Sequence, residues 1–123
     1  MVLNFKYEGT VREIMPIVKN YLESKNYDII HYAPESGYIL TDYRFFTLNT
    51  GKVYLALSIN INDLVVIVGM GKYEIVTSGL GNPEDMLKMK AVDKLPYRLQ
   101  KKIFLPIVKG LEEKGLKLLK TRR

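Results

Sequence analysis

"KVYLALSININDLVVIVGMGKY", Lys52–Tyr73, decides the fold. Val53, Leu55, Leu57, Ile59 and Ile61 recur at every second position, with Tyr54, Ser58 and Asn60 between them. A period of two belongs to a strand with one face in a core and the other turned away. Asn62-Asp63 then supplies a tight link, and a second apolar run extends from Leu64 to Tyr73. A link this short joins antiparallel neighbours, so the stretch reads as a long hairpin. Upstream, Tyr27–Tyr32 and Tyr38–Phe46 read as two more strands. "APESG" separates them, with Pro34 early and Gly37 late in a turn. "NTG" at Asn49 makes the remaining link, and the result is a four-strand antiparallel meander.

The flanks carry helix signals. Val2–Tyr7 alternates and reads as a short strand. Thr10 and Glu13 form a capping box, which predicts a helix with Ile14, Ile17, Val18, Tyr21 and Leu22 on its apolar face. Pro16 falls inside it, and Asn26 suits a left-handed exit. Beyond the meander, Asn82 and Pro83 read as the cap and first residue of a second helical region. Val92, Leu95, Leu99 and Ile103 continue one apolar stripe, while Lys90, Lys94, Arg98 and Lys101 fall on another face. Pro96 and Pro106 bend or divide this region, and Gly115 ends it. "LKLLK", Leu116–Lys120, reads as an extended piece or a helical tail. The order strand, helix, four-strand meander, helix predicts an α+β fold with helices on one face of an antiparallel sheet. Residues 1–123 are expected to form a single such domain, with a basic helical third from about residue 83.

"PIVK" occurs twice, at Pro16 and at Pro106, and each copy leads through Leu-Glu and Lys to a stop residue and an apolar tail. No second meander follows the second copy, so a duplicated domain does not fit. The reading is one helix-ending grammar written twice. The alternative is a lost or swapped second half in which "LKLLK" pairs as a strand.

Composition narrows the function classes. The chain has no cysteine, which excludes disulfide and thiolate chemistry. Its apolar runs are too short to span a bilayer, and its first residues lack the pattern of a signal peptide. The net charge is +6, divided unevenly: residues 86–123 carry +9 and residues 1–85 carry −3. Such asymmetry points to an anionic partner.

"YLESKNYDIIHYAPESGYILTDY", Tyr21–Tyr43, carries a resemblance. A helix end and polar stop lead to an aromatic, a strand, a short turn, then Gly-aromatic-Ile-x-Thr. The pattern resembles the BamC-like domains of outer-membrane barrel-assembly lipoproteins and other small envelope lipoproteins. Tyr27, Ile29, Gly37, Ile39, Thr41 and Tyr43 carry it, over about residues 10–60. The resemblance implies a non-enzymatic binding or scaffolding domain of one sheet and two helices. The chain departs from that family in having no lipid-bearing cysteine. The element order is also that of one half of the TATA-binding-protein fold and is close to small helix-grip folds.

The candidate sites follow from these placements. His31 is the single histidine and has no cysteine or tied acid beside it, so it reads as a packed strand residue and no catalytic residue is assigned. "GMGK" at Gly69 lacks the spacing of a phosphate loop and reads as a glycine bend in a strand. "GLGNPED" precedes a predicted helix, but Glu84 and Asp85 would repel a phosphate there. Tyr38, Arg44, Tyr54, Ser58 and Asn60, with Phe46, form a candidate contact face on the outside of the sheet. Lys90, Lys94, Arg98, Lys101 and Lys102 form a candidate anion-binding stripe. The expected function is a small non-catalytic binding or scaffolding domain, without cofactor or metal. It would contact a protein partner or small apolar ligand through the sheet face or the helix–sheet groove. The alternative is a nucleic-acid-binding module using the basic helix and the tyrosine face; an anionic membrane surface would meet the same cations. The chain reads as cytoplasmic as it stands, and as periplasmic or membrane-anchored if a leader is removed.

Overall fold

The computed structural model describes residues 2–48, 51–76, 87–91 and 97–119. Chain order is β1 (Val2–Lys6), α1 (Val11–Ser24), β2 (Ile29–Ala33), β3 (Tyr38–Thr41), β4 (Arg44–Leu48), β5 (Gly51–Ile61), β6 (Val65–Val76), β7 (Leu87–Ala91), α2 (Tyr97–Glu113) and β8 (Lys117–Leu118). The strands make one antiparallel sheet in the order β2-β3-β5-β6-β1-β8, with β4 also on β5 and β7 on β6. This is the α+β architecture read from the sequence.

β5 and β6 are the spine. They pair from Gly51↔Ile75 to Ile61↔Val65. Val53, Leu55, Leu57, Ile59 and Ile61 are all buried, as their period of two requires. Over them lie Ile14, Met15, Val18, Tyr21 and Leu22 of α1, and Ile103, Phe104, Ile107, Val108 and Leu111 of α2. Ile17 is the exception to the predicted α1 face. It is 38% exposed, while Met15 takes the buried place. The Thr10 hydroxyl accepts the Glu13 N–H at 3.2 Å and donates to the Glu13 carboxylate at 3.1 Å.

Two glycines let α2 come close. Gly69 pairs with Leu57 on the core side, and a Cβ there would overlap the Phe104 ring. "GMGK" therefore lies inside β6, and its glycine makes room for a core aromatic. On α2, a Cβ at Gly110 would overlap the Tyr21 phenol, whose hydroxyl donates to the Pro106 carbonyl at 2.7 Å.

The repeated "PIVK" has a structural counterpart. Each copy lies inside a helix, and the two helices end alike. In α1, Tyr27 N–H donates to Leu22 carbonyl and Asn26 N–H to Glu23 carbonyl. In α2, Leu116 N–H donates to Leu111 carbonyl and Gly115 N–H to Glu112 carbonyl. These are two Schellman caps, with Asn26 at φ 69° and Gly115 at φ 97° in the left-handed region. Each cap turns the chain into a strand, so the start of "LKLLK" is extended and pairs with β1.

Two elements differ from expectation. The span Tyr38–Phe46 is not one strand: it breaks at Asp42–Tyr43. Thr41, 1% exposed, accepts the Leu57 N–H on its hydroxyl at 2.8 Å and so bridges the gap in the ladder beside β5. The helical region expected from Pro83 onward is also corrected. Residues 87–91 are strand β7, paired with β6 from Lys72↔Ala91 to Val76↔Leu87, and the helix begins only at Tyr97. "LKMKA" alternates apolar and basic residues, which is strand grammar, and pairing with β6 satisfies its backbone. Residues 82–85 and 92–96 lie outside the described residues, and with them the expected Asn82 cap and Pro83 start, Val92 and Leu95.

Candidate functional site

The break at Asp42–Tyr43 shifts side-chain phase. Along an unbroken strand, Ile39 and Thr41 in the core would place Tyr43 and Phe45 there too. Instead Arg44 pairs with Leu55 and Phe46 with Val53, on the core side, while Phe45 pairs with Tyr54 on the outside. Phe45 is 47% exposed and meets Tyr54 edge to face, with ring centroids 5.2 Å apart. The structure thus separates the residues expected on one face. Tyr38, Tyr54, Ser58 and Asn60 share the outer face, in the pairs Tyr38↔Asn60 and Leu40↔Ser58. Arg44 and Phe46 lie on the opposite side, toward the helices.

The outer face is more apolar than those four residues suggest. Val66, Val68 and Met70 of β6 pair with Asn60, Ser58 and Ala56, and Val2 of β1 pairs with Val68. Both described helices lie on the other side, so neither of them covers this face. Met70 is 40% exposed and Val2 45%. Its described centre, from Leu40 across Ala56 and Ser58 to Val68, carries no charge. His31 pairs with Leu40 on the edge strand and is exposed, its ring 5.5 Å from Tyr38. Ile30 is a β-bulge residue on the same edge, which interrupts its pairing surface.

On the helix side, the phase shift completes a cleft of about 330 Å³ between α1, α2 and β4. Tyr21, Lys25, Tyr27, Arg44, Phe46 and Lys102 line it, with Ile103 and Ile107 adding apolar wall. The Arg44 guanidinium lies 4.2 Å from the Phe46 ring centre and 5.3 Å from that of Tyr27. Tyr27 is 2% exposed, and its hydroxyl makes no hydrogen bond among the described residues. Burial raises its pKa above the ordinary phenol value, and the Arg44 side chain, first as a hydrogen-bond donor and then as a charge, offsets this only in part. Arg44 approaches the phenol as a donor without reaching the geometry of a well-formed hydrogen bond. Burial also raises the Tyr21 pKa, with a smaller push from Glu113.

The five cations expected on one helical stripe are divided. Lys90 is in β7, Arg98, Lys101 and Lys102 are in α2, and Lys94 lies outside the described residues. Lys102 is exposed and lines the cleft. Lys25, Tyr27 and Ile103 were not expected in a site. No local sequence signal locates them, because the phase change that gathers them depends on Thr41 meeting Leu57 across the sheet.

Compared with known proteins, the chain matches no family model, no curated protein and no solved structure.

Proposed function

We propose that this chain is a small non-catalytic binding domain that docks a protein partner on the outer sheet face, within reach of Tyr38, Tyr54, Ser58 and Asn60. The observation that carries the reading is that face itself: largely apolar, uncharged at its described centre, and covered by neither of the described helices. Contiguous apolar surface of this kind marks interaction sites. A protein surface is the occupant that fits the uncharged centre: Lys52, its ammonium 5.4 Å from the Phe45 ring centre, stands outside that centre, and polyanion binding needs several cations along the stacking rings. The non-catalytic part of the reading rests on His31, exposed at an edge with its ring tilted against Tyr38. It rests also on the lack, among the described residues, of any convergent group of three His, Asp or Glu side chains. Scaffolding in the cell envelope, implied by the BamC-like resemblance, belongs to the same proposal. Tyr27, Ile39 and Thr41, three positions that carry the resemblance, are buried packing positions. No helix among the described residues is long and apolar enough to cross a membrane.

The test uses a photo-crosslinking side chain at Met70 of the full chain, expressed in its own cell. It should give one discrete adduct, with a second copy or another protein, that Val68→Lys abolishes. The same group at Glu35, on the exposed β2–β3 turn, should not give that adduct. Identical products from both positions, or none at Met70, would overturn the reading.

A further inference from the structure

The cleft on the helix side is a separate feature, and sheet-face docking does not use it. Its described cations are Lys25, Arg44 and Lys102, and no acidic residue is among the described residues that line it. The one ion pair among the described residues, Lys19–Glu23, lies elsewhere on α1. Cations gathered around a concavity without a carboxylate repel one another, and that arrangement favours an anion between them.

Arg44 is the best placed of the three. The Phe46 and Tyr27 ring centres lie 4.2 and 5.3 Å from its guanidinium carbon, so two aromatic neighbours fix the cation's place in the cleft. A guanidinium so held binds a carboxylate or phosphate through two parallel hydrogen bonds. Beside it, the buried Tyr27 hydroxyl has a proton and no acceptor among the described residues. Buried hydroxyls are nearly always paired, so one left beside an aromatic-held arginine calls for an acceptor from outside the described protein. An oxyanion supplies one. Phe46, Ile103 and Ile107 add apolar wall around these donors, and about 330 Å³ is the size of a small-molecule site.

We propose that this cleft binds a small organic anion: an oxyanion head on Arg44, reaching the Tyr27 hydroxyl, with an apolar or aromatic body against Phe46, Ile103 and Ile107. Lys25 and Lys102 stand at the same cleft and neutralise the head. Carboxylate and phosphate heads share this chemistry, and the experiment separates them.

The ¹⁵N-labelled full chain is titrated at low salt with benzoate, phenyl phosphate, inorganic phosphate and neutral benzyl alcohol, with amide and Arg44 Nε–Hε shifts followed. Benzoate or phenyl phosphate should give saturable shifts at Arg44, Phe46 and Ile103, and the tighter of the two identifies the head. Benzyl alcohol should give none. Arg44→Gln should weaken binding roughly tenfold or more, the factor set by about 1.4 kcal/mol. Tyr27→Phe should weaken it by a smaller factor, with the spectrum otherwise native. Inorganic phosphate binding as tightly as phenyl phosphate would overturn the organic body. Unchanged affinity in Tyr27→Phe would overturn the hydroxyl's role. Absence of saturable shifts with both organic anions, or equal affinity in Arg44→Gln with a native spectrum, would overturn the site.

Discussion

At the scale of single residues, Tyr27 sets stability against a site. Its ring is core, and its hydroxyl is buried without a described partner. A buried donor left unpaired costs ~1–3 kcal/mol, so removing it should not destabilise the protein. Tyr27→Phe is expected to unfold in denaturant at the same midpoint as the native chain or a higher one. A fall of the midpoint would show that the hydroxyl is already paired. The same burial predicts a response to alkali. The Tyr27 and Tyr21 phenols both have pKa values raised from the usual 10.0, Tyr27 chiefly by burial and Tyr21 by burial and then Glu113. The fold favours their neutral forms, so this stability is present in full below the unfolded value of 10.0. Above that value the unfolded chain releases its protons first, and stability falls until pH passes the raised folded values. Thermal midpoints above the unfolded phenol pKa should therefore fall less steeply with pH in Tyr27→Phe than in the native chain. A parallel fall in both would show that other groups control the alkaline limb. The tyrosines were visible as a class in the sequence. That Tyr27 is buried and Tyr54 half-exposed depends on which partner strand lies beside each, which the sequence does not print.

At the scale of elements, local grammar was legible wherever one interaction decides it. The Thr10–Glu13 box opens α1, Asn26 and Gly115 close the two helices, and the alternation of Val53 to Ile61 fixes the core face of β5. Two elements were not legible. The phase change at Asp42–Tyr43 is held by partners distant in sequence: Thr41 accepts the Leu57 N–H 16 residues away, and Asp42 N–H donates to the Asp28 carbonyl. The helical stripe drawn through Lys90 competed with an equally good period of two in "LKMKA", and only pairing with β6 decides between them. The Thr41 hydroxyl can be tested directly. Thr41→Val keeps the shape and leaves the buried Leu57 N–H without its acceptor, which should cost ~1–3 kcal/mol in equilibrium unfolding. Its Leu57 amide should also exchange with solvent faster. If Thr41→Val unfolds like the native chain and Leu57 stays protected, the break between β3 and β4 is held by something else. Arg44 would then owe its place in the cleft to another contact.

At the scale of the whole molecule, the described helices cover one face of the sheet and leave the other, and a pair of substitutions measures that difference. Leu57 is fully buried and Val68 only partly, and they occupy opposite faces of the same β5–β6 ladder. Leu57→Ala should cost ~2–5 kcal/mol, the usual range for a buried leucine. Val68→Ala should cost less than ~1 kcal/mol, since a half-exposed side chain loses little burial. Equal losses would mean that the outer face is covered within the molecule and is not free to dock anything. The charge map yields the last expectation. The C-terminal third is basic, but its cations are spread over β7 and α2 instead of following one helix. Five phosphate contacts in one stripe would give a log–log salt slope of about −4.5 on duplex DNA. Arg98, Lys101 and Lys102, three positions within one turn of α2, would give a slope of only about −2.7. Any retention of the chain on DNA should therefore fall with salt no more steeply than this, and Arg98→Glu with Lys101→Glu should remove most of it. A slope near −4.5 would show about five phosphate contacts, more than these three positions supply. Polyanion binding would then displace protein docking as the better account of this molecule.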